Sequence, residues 1–194
     1  MHRLFLTISR IMAILGGIVL SVLILIICLS ILGRTANTIL NSDAVQAIIP
    51  GLADWLIKAG IGAIRGDFEL VEAGMAFAIF AFLPLTQVTA GHATVDIFTS
   101  WMPDRALRVL RAAIEILFAV TLVVIAVQLK SGMDGKISSG QTTFLLQFPV
   151  WWSYAASVVG AGVAAIVGVY MAAVRVLEAM TGRQIAEDEL GAEH

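Results

Sequence analysis

Residues 66–103 read GDFELVEAGMAFAIFAFLPLTQVTAGHATVDIFTSWMP. Three acids, Asp67, Glu69 and Glu72, open the stretch, and residues 73–90 then run without a charge. At ~1.5 Å per helical residue that run covers most of a ~30 Å hydrocarbon core, so it reads as one membrane crossing that begins at a polar border. Pro84 lies inside it and removes a backbone hydrogen bond, which predicts a bend near Phe80. The chain leaves through Gly91, His92 and Asp96 into a segment where Phe98 and Trp101 are interleaved with polar residues.

Two features of this stretch invite a chemical reading. Glu69 and Glu72 are three apart and share a helix face. The plainer account has the positive end of the helix dipole stabilising them at the water interface. The sharper one pairs one of them with a cation on a partner subunit, because ionisable groups at membrane edges need partners. A catalytic carboxylate pair is disfavoured, since no nucleophile or metal set accompanies them. His92 has no second ligand at helical spacing, the other histidines being His2 and His194. It reads as a loop residue hydrogen-bonded toward Asp96, not as a metal or haem ligand.

The whole chain agrees with a membrane setting. Its 194 residues are 59% hydrophobic and 13% charged, against the ~25% charge of a soluble domain, so it could not cover a water-facing surface. The net charge of −2 and the lack of a dense basic cluster argue against nucleic acid. Cys28 is the one cysteine, which excludes a disulfide within the chain.

Upstream, residues 11–32 form an uncharged crossing flanked by Arg3, Arg10 and Arg34. Its apolar run is too long for a signal peptide and is read as retained. The Gly16-Gly17 pair suits close helix packing. Residues 33–65 are too polar to span. Within them Leu52, Trp55, Leu56 and Ala59 recur at helical spacing after Pro50, predicting a short amphipathic helix with Trp55 in the headgroup layer.

Downstream, Leu107 and Leu110 with Arg105, Arg108 and Arg111 predict an interfacial segment, broken at Pro103-Asp104 and preceded by Trp101 as an interfacial residue. Residues 112–129 form the third crossing. Its one charge, Glu115, lies four after Arg111, and an ion pair on one face is a simpler reading than a proton or ion ligand. Residues 130–147, rich in Gly and Ser, read as a loop that returns through Pro149, Trp151 and Trp152, with the tryptophans in the headgroup belt. The fourth crossing, 150–174, carries Ala156, Gly160, Ala164, Gly168 and Ala172 at i+4 spacing, a ridge for close helix contact. The ridge serves either this chain's own bundle or a separate membrane subunit.

The expected fold is therefore all-α, with four transmembrane helices (about 11–32, 70–90, 112–129 and 150–174) and additional amphipathic interfacial helices. They form one membrane domain over 1–176, followed by a polar tail, 177–194. Four crossings place both termini on one side. That side holds Arg3, Arg10, Arg105, Arg108, Arg111, Arg175 and Arg183, against Arg34, Lys58, Arg65, Lys130 and Lys136 opposite, which favours termini inside.

Two short motifs carry a resemblance to a known family. Gly91, His92 and Asp96 after the second crossing, and Pro149, Trp151 and Tyr154 before the fourth, resemble elements of the small membrane subunit (DctQ type) of TRAP transporters, over roughly residues 8–176. The longer 33–65 connection departs from that pattern. The resemblance implies a non-enzymatic subunit of a tripartite, sodium-coupled importer of anionic, carboxylate-type solutes in the bacterial inner membrane, with cytoplasmic termini. Its partners would be a large DctM-type membrane subunit, a periplasmic solute-binding protein and membrane lipid. Sodium would sit on the large subunit, with no cofactor in this chain. Glu69, Glu72 and the Ala156–Ala172 ridge are the candidate contacts to that subunit. Readings from other classes are a four-helix anchor of a redox enzyme and a self-associating structural membrane protein.

Overall fold

The computed structural model describes residues 2–89 and 103–181. Gly91, His92, Asp96, Phe98 and Trp101 lie outside the described residues, as does the chain from 182 onward. Six helices follow in order: α1 (His2–Leu40), α2 (Asp43–Ile48), α3 (Pro50–Lys58), α4 (Asp67–Val88), α5 (Asp104–Ser139) and α6 (Trp151–Thr181). Four of them, α1, α4, α5 and α6, are long and apolar enough to cross a membrane. The chain is an all-α membrane protein.

The helices outrun their apolar segments. α1 has 39 residues, a length of ~58 Å against a ~30 Å hydrocarbon core. The boundary expected at residue 32 is one of polarity, not of backbone: nothing in GRTANTIL breaks a helix, and the Thr38 hydroxyl donates to the Arg34 carbonyl without leaving it. α5 behaves alike. It starts directly after Pro103, so Leu107 and Leu110 belong to the same helix as the third crossing. At its other end it continues through Gly132 and Gly135 to Ser139, where a loop was expected from residue 130. Lys130 and Asp134 form an i, i+4 ion pair at 3.0 Å along this extension, and Gly140, at φ 61°, ends the helix in the left-handed conformation. The loop shrinks to residues 140–150. Pro84 lies inside α4 without dividing it.

The 33–65 connection also gains structure. α2 was not anticipated. α3 matches the amphipathic helix read around Trp55 and has Pro50 in its first turn. Ala53 is fully buried, whereas Leu52 and Trp55 face outward. An apolar stripe turned away from the protein suits a helix lying on a headgroup layer.

α1 and α5 run one way, α4 and α6 the other. Among the described residues the long helices pack in the series α1, α4, α6, α5, each chiefly against its neighbours in that series. Small residues set the contacts. A Cβ added at Gly16 would come within 2.8 Å of Ala81 Cβ on α4, and one at Gly160 within 3.0 Å of Phe80 Cβ. Gly168 fits against Leu122 and Ala119 of α5, and Gly132 of α5 against the Tyr154 ring. Two clusters fill what remains. Val88, Val167, Met171 and Val174 gather Phe5, Leu6 and Tyr170 near the termini, with Phe5 and Tyr170 stacked at 4.1 Å. Leu122, Ala164 and Ala165 gather Leu83 and Ala126. The outer helices keep long apolar rows exposed, such as Ile14, Ile18 and Leu25 on α1 and Leu117, Val120 and Val124 on α5.

Gly16 and its neighbour make a direct test, because a Cβ at Gly17 would meet nothing within 4 Å. Gly17→Ala should stabilise the protein by up to about 1 kcal/mol through helix propensity. Gly16→Ala should destabilise it by about 1–3 kcal/mol through overpacking against Ala81. Thermal unfolding in detergent checks both; shifts of the same sign would contradict the α1–α4 contact.

Candidate functional site

The connections of the end away from the termini converge on the first turn of α4. Gly66, at φ 79°, turns the chain into the helix, a conformation open to glycine at little cost. Asp67 and Glu69 then reach in different directions.

Asp67 faces α1. The buried Ser30 hydroxyl donates to its Oδ2 at 2.5 Å and accepts the Ile64 N–H at 3.2 Å. Arg34 lies 3.9 Å from the same carboxylate oxygen, and Oδ1 takes the Phe68 N–H at 2.9 Å. Two turns beyond Ser30 along α1, the Asn37 amide donates to the Ile61 carbonyl at 2.8 Å. Between them the Gly62 carbonyl lies against Gly33, leaving no room for a side chain there. Ser30, Gly33 and Asn37 fall at i, i+3 and i+7, one face of a helix. That spacing was present in the sequence, but it straddles the polarity boundary and was not read as a face.

Glu69 faces the other way, to the loop between α5 and α6. Its two carboxylate oxygens accept the Leu145 N–H at 2.6 Å and the Leu146 N–H at 2.9 Å. The loop is a narrow hairpin in which Thr143 N–H donates to the Phe148 carbonyl, Val150 N–H to the Gln141 carbonyl and Phe148 N–H to the Thr143 hydroxyl. Leu146 packs over Gly66. Phe144, at the tip, is 87% exposed. Glu69 is thus engaged inside the chain, where the sequence suggested a cation on a partner. Glu72 is exposed.

The other sequence-selected residues divide clearly. Pro149 closes the hairpin opposite Thr142, and its carbonyl accepts the Trp152 N–H. Trp151 and Trp152 meet edge to face at 6.2 Å, and Phe148 lies beside Trp152. Tyr154 packs on Gly132. Trp152 is 56% exposed and Trp55 64%, as headgroup-layer side chains would be. Of the ridge, Gly160, Ala164, Gly168 and Ala172 are buried and Ala156 half-buried. Gly160 packs on α4 and Gly168 on α5 of this same chain, so the ridge joins its own bundle. A substitution such as Gly160→Leu strikes the fold itself before it strikes any assembly.

Near the termini a second polar set is buried. Arg175 and Glu178 of α6 form an ion pair at 2.8 Å with both side chains 7% exposed. Gln87 of α4 and Glu115 of α5 are also buried. Among the described residues no three His, Cys, Asp or Glu are grouped to hold a metal ion. The Asp67 and Glu69 set joins loops to helices, and what it accomplishes is positioning.

The family model described as "Tripartite ATP-independent periplasmic transporters, DctQ component" matches residues 23–178. No curated protein and no solved structure matches the chain.

The Glu69 contact is testable without a partner. Glu69→Ala should speed hydrogen exchange across residues 143–148, while Glu72→Ala leaves that segment at the parent rate. Peptide-resolved exchange in detergent reads both, and equal protection in the two variants would remove the carboxylate from the loop.

Proposed function

Because the chain belongs to the DctQ component family of tripartite ATP-independent periplasmic transporters, transporters whose other components are a DctM-type membrane subunit and a periplasmic binding protein, we propose that it is the scaffold subunit of a sodium-coupled importer of anionic, carboxylate-type solutes. In this reading the sodium and solute sites lie on the large subunit. This chain braces that subunit in the bacterial inner membrane, with both termini cytoplasmic. The count of Lys and Arg, seven against five, favours that orientation, and in this reading the Glu69-held hairpin and α2–α3 lie on the periplasmic side, where the binding protein arrives.

One observation carries the reading. Transport sites sit near the bilayer midplane, built from broken helices and intramembrane charges. Here the described crossings are continuous and the buried charged groups, Asp67 at one end and Glu115, Arg175 and Glu178 at the other, lie toward the ends of the bundle, while the buried Ser157 between them donates within its own helix to the Ser153 carbonyl. The middle is made for rigidity. Two outer helices with fully apolar rows supply broad surfaces for lipid and for a larger membrane partner.

Proteoliposomes holding the large subunit and binding protein, with and without this chain, test the proposal. Uptake of a carboxylate solute under an inward sodium gradient should fall at least tenfold when the chain is omitted. Full uptake without it would overturn the scaffold role. Uptake that ignores the sodium gradient would overturn the coupling.

A further inference from the structure

The contacts between helices set their relative heights, and those heights do not agree with the ends of their apolar runs. On α1, Gly16 lies level with Ala78 and Ala81 of α4, Leu23 with Gly74 and Ser30 with Asp67. On α6, Gly160 lies level with Phe80 and Ala81 of α4. On α5, Ala119 and Leu122 are level with Gly168, and Gly132 with Tyr154.

The charges that bound each apolar run can be placed on this common scale. At the end away from the termini the bounding charges are Arg34 on α1, Glu72 on α4 and Lys130 on α5. Arg34 is level with Ala63, outside α4 altogether, whereas Lys130 is level with Phe77, well inside it. That limit climbs across the array by about fifteen residues, or some 20 Å at ~1.5 Å each. At the other end the bounding charges are Arg10, Arg175 and Arg111. From Arg10 to Arg111 the limit shifts the same way, by about ten residues, near 15 Å. Both edges of the apolar belt are therefore oblique to the bundle axis, and in the same sense.

An upright bundle cannot satisfy this belt. With α1 centred in the bilayer, the Lys130–Asp134 pair of α5 would lie within the hydrocarbon. Its side chains are 64% and 56% exposed, and charges there are strongly disfavoured unless covered. Tilting the array in its own plane removes the conflict. A rise of 15–20 Å over three helix spacings of ~8–10 Å corresponds to about 30°, inside the range seen for membrane helices. The aromatic side chains agree. Trp151 and Trp152 stand at the polar limit of α6, while Trp55 is carried by α3, beyond the end of α1's apolar run.

We propose that the four-helix array sits in the bilayer inclined by about 30° in the plane of the series α1, α4, α6, α5. The lipid belt crosses it obliquely, and two diagonal corners stand in water. One corner is residues 2–10 of α1, carrying Arg3 and Arg10. The other is residues 130–139 of α5, carrying Lys130, Asp134 and Lys136. The proposal rests on the membrane-spanning reading and is independent of any transport role.

Four exposed positions form two level pairs that test it. Leu25 and Ile137 lie nearly level, beside residues 70–72 of α4, and Leu4 lies nearly level with Leu117. Each is replaced by cysteine in a Cys28→Ser full-length chain, spin-labelled in lipid nanodiscs, and its depth read from oxygen against nickel-chelate accessibility. Labels at Leu25 and Leu117 should report hydrocarbon, and labels at Ile137 and Leu4 headgroup or water, with about 12–15 Å of depth separating Leu25 from Ile137. Equal depth within each pair would show an upright bundle and overturn the inclination. Water exposure at all four would overturn the membrane placement as well, which separates that failure from this one.

Discussion

Asp67 and Glu69, two residues apart at the start of α4, each close a different connection, and the order of the bundle follows from both. Asp67 receives Ser30 and ties the 61–66 segment to α1. Glu69 receives two backbone N–H groups of the hairpin between α5 and α6. A loop at a membrane border loses water as a hydrogen-bond partner, and a carboxylate that takes two N–H groups restores the loss with charge-assisted bonds. α4 thereby becomes the reference helix, with α1 seated on one side and α6 on the other.

Between the ends, close approach does the work that a hydrophobic core does in water. Lipid is as apolar as leucine, so association rests on how near the backbones come. Gly16, Gly160 and Gly168 mark three such approaches, and in each an added Cβ would press on a partner's backbone or side chain. The result is an array with α1 and α5 at its margins and α6 the most enclosed of the four crossings. Margins so apolar are what a bracing subunit needs, since they can meet lipid or a larger protein without unsatisfied polar groups.

Hydropathy made the four crossings legible in the sequence, because an uncharged run of bilayer length is hard to place anywhere but across a membrane. It did not locate the helix ends. α1 and α5 continue past the ends of their uninterrupted apolar runs, since GRTANTIL and KSGMDGKISS change polarity without breaking the backbone. The i+4 spacing of Ala156, Gly160, Ala164, Gly168 and Ala172 identified a packing ridge, but periodicity cannot say what lies across it. The structure puts α4 and α5 there. Glu69 was visible as an acid wanting a partner, yet its partners are two backbone amides 76 and 77 residues away. Backbone donors leave no mark in a sequence. Gly91, His92 and Asp96, half of the resemblance to the family, lie outside the described residues. The family match itself runs from 23 to 178.

The proposed bracing role rests on a tightly joined array whose two outer helices keep long apolar rows exposed. Purification of the tagged full-length chain in a gentle detergent, co-expressed with a DctM-type subunit, tests that claim most directly. The account predicts a stable complex of the two in fixed stoichiometry, resolved by size and mass. A chain that elutes alone, or only with copies of itself, while the large subunit stays folded and separate, would contradict it.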